Sequence, residues 1–91
     1  MTTFHLQIVT MAGLAFDGQV KSLSCRASHG EVEILANHCN YCTAVGKGTA
    51  RVMLENGENR TAACTGGMLS MLEGQCRLIP GGWEWLVGEE L

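Results

Sequence analysis

The sequence predicts an all-β fold: a small β-sandwich of roughly ten short, mostly antiparallel strands in two sheets. Three observations carry this. No long segment shows the apolar period of an amphipathic helix. Apolar and polar residues instead alternate in short runs. Glycine supplies 12 of the 91 residues and interrupts those runs at close intervals, while proline occurs once. The length amounts to one domain, residues 1–91. A domain this small buries only about 60–65% of its unfolded surface, so modest stability is expected.

The elements follow in order. Phe4, Leu6 and Ile8 alternate with His5 and Gln7, so residues 3–10 read as a half-buried strand. MAGLAFDG then turns and begins a short strand with Leu14 and Phe16 on one face. QVKSLSCRA forms another strand with weaker alternation. HGEVEIL places Val32 and Ile34 on one side and Glu31 and Glu33 on the other. Residues 41–46 make a short run that ends at Gly46 and Gly48. Ala50, Val52 and Leu54 alternate with Arg51 and Met53. Asn56-Gly57 predicts a type I′ hairpin turn, which needs positive φ at both central residues. RTAACTG is the returning strand, and MLSMLEGQCRLI is a second hairpin about Glu73-Gly74. Gly66-Gly67 predicts a bulge or bend where the chain passes from one sheet to the other. WEWLVGEEL, with Trp83, Trp85 and Val87 in alternation, reads as a closing edge strand.

Composition narrows the function. The apolar fraction of 46% is ordinary for a globular chain and too high for a disordered one. Net charge is −3 with no basic cluster, which argues against nucleic acid, whose affinity comes largely from neutralised phosphates. No apolar run approaches the ~20 residues that span a bilayer. The N-terminus lacks the basic and apolar regions of a signal peptide, so an intracellular chain is expected. Five cysteines is an odd number with no framework spacing, and free thiols behave as small apolar residues.

NHCNYC, residues 37–42, is the segment that most resembles a chemical site. Zinc needs four ligands, and a strong signature would pair two Cys-x-x-Cys units or add His-x₃₋₅-His. Here there is one pair. Cys25, Cys64, Cys76, His5 and His29 stand apart in sequence. A redox pair is disfavoured as well. In an extended segment Cys39 and Cys42 lie about 10 Å apart, whereas a disulfide needs less than about 7 Å. No helix follows to lower a thiol pKa. The expectation is one buried cysteine, one in a turn, and His38 in a turn or an interface. TGGM and GKGT lack the context of a phosphate loop, and no nucleophile–base set is recognisable. No catalytic residue, metal ligand or cofactor site is expected.

Several segments in order resemble one family, the N-terminal β-sandwich of the ATP synthase epsilon subunit (delta in mitochondria). FHLQIVT is similar to its opening strand. FDGQVKSLSCRASHGEVEIL resembles its Phe-x-Gly, strand, Gly-Glu and apolar strand. ANHCNYCTAVGKGTARV resembles its Asn-His segment, and CTGGMLSMLEGQCRLI its Gly-Gly hairpin. The resemblance runs from about Thr3 to Trp85 and implies a non-catalytic role in the rotating central stalk. The implied partners are the gamma subunit and the c-ring, with no small-molecule substrate. The setting is ATP synthesis and ion transport at the cytoplasmic face of the membrane. By position, His29 and Glu31 would face the ring, His38 and Asn40 would lie near gamma or the ring, and Thr10 would lie toward gamma. Met11-Ala12 replaces the family's polar pair, and Ala36 replaces its turn proline. The family's C-terminal helical hairpin is absent from this sequence, so no inhibitory hairpin and no ATP site are expected. Two other readings stay open. One is an independent β-sandwich binding module, homo-oligomeric in one form, using Trp83, Trp85, Met11 and the Met68–Met71 region. The other is a thiol or zinc protein built on His38, Cys39 and Cys42.

Overall fold

The computed structural model describes residues 2–86. It contains β1 (Phe4–Thr10), β2 (Gly13–Ala27), β3 (Gly30–Leu35), β4 (Tyr41–Ala44), β5 (Lys47–Leu54), β6 (Asn59–Thr65), β7 (Gly67–Leu72), β8 (Gln75–Pro80) and β9 (Trp83–Leu86). The described residues thus form nine strands rather than ten. The difference lies in residues 13–27, read above as two strands but continuous in the structure. Val87 lies outside the described residues.

Hydrogen bonding runs in the order β4-β7-β8-β1-β2-β5-β6-β9, with β3 also paired to β2. The two expected sheets are the two halves of this path, joined through β2. Its first part pairs with β1, from Gly13 to Val20. Its second part pairs with β3 and β5, from Val20 onward. Only the β1–β8 pairing is parallel.

One extra residue lets β2 serve both halves. Val20 is buried, and so are Leu23, Cys25 and Ala27. Strict alternation from Val20 would put Leu23 outside. A register shift against β5 between Val20 and Ser22 absorbs the mismatch. A bulge of this kind exchanges the faces of a strand and increases its local twist. A second shift, between Ile8 and Val9, pairs Ile8 with Phe16 and Val9 with Leu14. Leu14 and Phe16 therefore face opposite ways, not the same way. Phe16 packs on the core, while Leu14 is exposed.

The core gathers Phe4, Leu6 and Ile8 from β1, Val20, Leu23 and Cys25 from β2, and Ile34 from β3. Ala50, Val52, Cys64, Leu69, Met71, Cys76 and Leu78 complete it from the other strands. Each large aliphatic side chain removed from water here contributes about 1.5–3 kcal/mol. No polar or charged side chain is among the buried residues described.

The turns depart from expectation in an instructive way. At the β5–β6 connection Gly57 has φ +93°, but Asn56 is not left-handed. Leu54 N–H donates to the Glu58 carbonyl, and Gly57 N–H donates to the Leu54 carbonyl. This is a three-residue loop closed by one positive-φ glycine, not a type I′ turn. The Asn56 side chain is engaged instead as acceptor for Glu58 N–H at 2.9 Å. Both central residues are left-handed in the β7–β8 turn, where Glu73 has φ 52° and Gly74 φ 79°. The Gly66-Gly67 step is where the chain leaves β6 and enters β7, which lie in different halves of the strand order. Gly67 has φ +123°, and a Cβ there would collide with the Ile79 carbonyl and stand 2.6 Å from the Pro80 Cα.

Two outcomes follow for solution measurements. Gly67→Ala adds a backbone clash to a conformation that only glycine adopts freely, and should cost about 2–4 kcal/mol. Gly13→Ala, at φ +127° with open space around it, should cost about 1–2 kcal/mol. Urea unfolding of both variants checks the difference. Burial raises the Cys25 thiol to about 11 and the Cys76 thiol to about 12. Titration with a thiol reagent should modify Cys39 and Cys42, which are exposed, and reach Cys25, Cys64 and Cys76 only at the rate of unfolding.

Candidate docking surfaces

The segment between β3 and β4 and the two turns beside it form a small polar cluster. Asn37 adopts a left-handed φ of 69° and reverses the chain after β3. His38 N–H then donates to the Leu35 carbonyl at 3.1 Å. The His38 ring donates from Nδ1 to the Cys39 carbonyl at 2.8 Å. It also meets Tyr41 edge-on, with ring centroids 5.5 Å apart. The Tyr41 hydroxyl lies 3.3 Å from His29 Nε2, in the turn that joins β2 to β3. Asn40 Oδ1 accepts the Glu73 backbone N–H at 3.0 Å. Its amide reaches the Glu73 carboxylate at 3.4 Å. Asn40 thereby supports the left-handed Glu73 from a strand connection 33 residues away.

Three of the five candidate residues, His29, His38 and Asn40, are thus connected through Tyr41 and Glu73. Glu31 sits next to them at the start of β3, exposed and paired in register with Arg26. Thr10 stands apart. It closes the β1–β2 turn, with its hydroxyl donating to the Gly13 carbonyl and accepting the Ala12 N–H. In the strand order β1 lies three strands from β4. The candidates therefore define two surfaces on one body.

The sulfur chemistry does not converge. Cys39 and Cys42 are both exposed, not one of them buried. Cys42 is on the outward side of β4, opposite Ser70. Among the described residues no three His, Cys, Asp or Glu side chains gather in a group that could hold a metal. The apolar patch expected around the tryptophans and methionines is divided as well. Met11 and Met68 are exposed, but Met71 is buried. Trp83 and Trp85 are half-buried, and Trp85 meets Phe16 edge-on across 6.3 Å. The tryptophans close the end of the sandwich.

Sequence reading missed a polar network on the outer face of β1, β2 and β8. His5 Nε2 contacts the Asp17 carboxylate, and His5 Nδ1 lies 3.0 Å from Gln75 Oε1. Both partners present oxygen, so the doubly protonated ring satisfies both. The hydrogen bonds to Asp17 and Gln75 raise the His5 pKa above its ordinary 6.5. The same contact with His5 lowers that of Asp17 below its ordinary 3.8. Arg77 donates to Gln7 Oε1 at 3.1 Å.

Comparison with known proteins agrees with the fold. The family model described as the ATP synthase delta/epsilon chain β-sandwich domain matches residues 3–84. ATP synthase epsilon chains from Clostridium perfringens strains SM101 and 13 are each 29% identical over 85 residues, covering 93% of this chain. This chain spans 64% of the length of those relatives. Among solved structures, a chain of the Euglena gracilis mitochondrial ATP synthase OSCP/F1/c-ring assembly superposes with a TM-score of 0.88 at 19% identity. The match covers all of this chain and 57% of that one. A chain of the Tetrahymena thermophila mitochondrial ATP synthase central stalk/c-ring structure gives 0.71 at 13% identity, covering 87% of this chain and 63% of that one.

The His5–Asp17 pair predicts a pH window. The raised His5 pKa contributes stability that is complete below 6.5 and is lost as pH rises through the folded value. The lowered Asp17 pKa contributes stability that is present above 3.8 and is lost as pH falls through the folded value. The coupling in a His5→Gln/Asp17→Asn double-mutant cycle should therefore be largest near about pH 5 and vanish by about pH 9. Thermal unfolding of the four proteins at both pH values checks it.

Proposed function

The chain belongs to the ATP synthase delta/epsilon chain family, and on that premise we propose that it is a non-catalytic docking domain of the enzyme's rotating central stalk. It binds the gamma subunit on one side and the c-ring on the other, and passes rotation between them. This work is done at the cytoplasmic face of the membrane, as a peripheral part of the complex. The observation that supports this best is the separation of the two candidate surfaces on one hydrogen-bonded body. Thr10 and its turn lie at one place; His29, Glu31, His38 and Asn40 lie at another. A coupling element needs two contact surfaces and stiffness between them. A continuous path of paired strands around a single packed core supplies the stiffness.

The ring-facing role is assigned to the His29–Tyr41–His38 cluster together with Glu31 and Asn40. Its side chains are polar, and internal contacts hold them in place before any partner arrives. Such preorganisation lowers the ordering cost of association.

The test is binding to gamma and to a gamma–c-ring assembly of the same source, by calorimetry and co-purification. A one-to-one complex with gamma is expected. The Glu31→Ala/His38→Ala double variant should keep most of its affinity for gamma alone. It should lose the added affinity that the ring supplies, by about tenfold. A folded chain that binds neither would instead be an independent binding module.

A further inference from the structure

The two outer faces of the sandwich differ in chemistry. On the half formed by β3, the end of β2, β5 and β6, cross-strand neighbours are charged or hydroxylated: Arg26 with Glu31, Ser24 with Glu33 and Arg51, and Arg51 with Thr61. That is an ordinary solvated face. The face formed by β4, β7, β8, β1 and the start of β2 carries an apolar row. Ala44 is opposite Met68, and Met68 is opposite Ile79. Val9 and Ile79 follow the last paired residues of β1 and β8, and Val9 is opposite Leu14. Met68 and Ile79 are each 49% exposed, and Leu14 is 57% exposed. The row crosses five adjacent strands, about 19 Å at the usual strand spacing. It continues into the β1–β2 turn, where Met11 is 99% exposed. It is therefore continuous with Thr10, the candidate for the gamma side.

The row has a charged neighbour. Two residues along each strand lie Cys42, Ser70, Arg77, Gln7 and Asp17, in that order across the same five strands. Asp17 is neutralised by His5. Arg77 is left with a neutral partner, Gln7. Among the described residues no carboxylate lies within ion-pair range of it. A chain of net charge −3 thus presents a local cation beside its most apolar exposed strip.

We propose that this face is where gamma docks. An apolar strip of that subunit covers Ala44, Met68, Ile79, Val9 and Leu14, and one of its carboxylates pairs with Arg77. The inference rests on the stalk reading for the identity of the partner. Charge complementarity selects this occupant over a second copy of the chain. Arg77 and Ile79 lie on the central one of the five strands. A two-fold axis along the strands would bring Arg77 against Arg77, and one along the row would leave Arg77 unpaired. A like-charge contact in an interface is costly. A desolvated cation beside an apolar strip needs an anion.

Calorimetric titration of the gamma subunit into the full chain tests this, with four substitutions that all fall on exposed positions. Ile79→Lys and Arg77→Glu should each weaken binding at least about tenfold, and Arg77→Lys by less than about fivefold. Glu33→Lys, on the other outer face, should change it less than about twofold. Circular dichroism confirms that each variant folds, and sedimentation velocity reports self-association. Two results would overturn the inference while leaving the stalk reading intact: gamma affinity unchanged in Ile79→Lys and Arg77→Glu, or a dimer of the unsubstituted chain that Ile79→Lys abolishes. No binding of gamma by the unsubstituted chain would remove the stalk reading, and this inference with it.

Discussion

The extra residue in β2 is the constraint on which the rest of the structure depends. A strand has two faces, and its side chains alternate between them with a period of two. β2 must put Val20 into the core beside β1, then Leu23, Cys25 and Ala27 into the same core beside β3 and β5. Without the register shift near Lys21 one of these sets would face water. With it, a single strand belongs to both halves of the sandwich, and the backbone hydrogen bonds run without a break from β4 to β9. Mechanical continuity between the two outer faces follows from that, because every strand but the two at the ends of the path is held on both sides.

This continuity connects fold to function. The cluster around His29, His38, Asn40 and Glu31 hangs from the ends of β2, β3 and β4. The apolar row spans β4, β7, β8, β1 and β2. Both surfaces share β4 and β2, so a load applied to one is carried by paired strands to the other. Contacts inside the cluster add local rigidity. Asn40 holds the strained Glu73 turn, and Tyr41 lies between two histidines from different connections. The chemistry of the site is that of contact, with no cavity in which reacting groups converge.

Much of the fold was legible because the core obeys simple alternation. Val32 and Ile34 against Glu31 and Glu33, or Ala50 and Val52 against Arg51, can be read directly as inside and outside. What escaped was decided by contacts distant in sequence. The bulge disguised β2 as two strands because it breaks the alternation that identifies a strand. Asn56-Gly57 carries the stronger hairpin signal, yet the left-handed pair is Glu73-Gly74, which Asn40 stabilises from outside. Cys42 was expected in a turn or the core, but β4 is an end strand whose alternate residues face solvent. At the site, the family resemblance pointed to His29, Glu31, His38 and Asn40 but not to Tyr41, whose role exists only once two loops meet. Nor did it give the outer-face row, because Ala44, Met68, Ile79, Val9 and Leu14 are brought together only by the strand order. His5 and Gln75, or Gln7 and Arg77, are 70 residues apart.

The central claim is that one stiff sandwich carries two separate docking surfaces, and hydrogen exchange of backbone amides tests it most directly. The chain would be measured alone, with gamma, and with a gamma–c-ring assembly. The account predicts that gamma slows exchange in the 10–13 turn and leaves the 28–31 and 36–40 segments unchanged. Adding the ring should then slow those two segments, while the core strands keep high protection throughout. Protection of all three regions by gamma alone, or loss of core protection on binding, would contradict it.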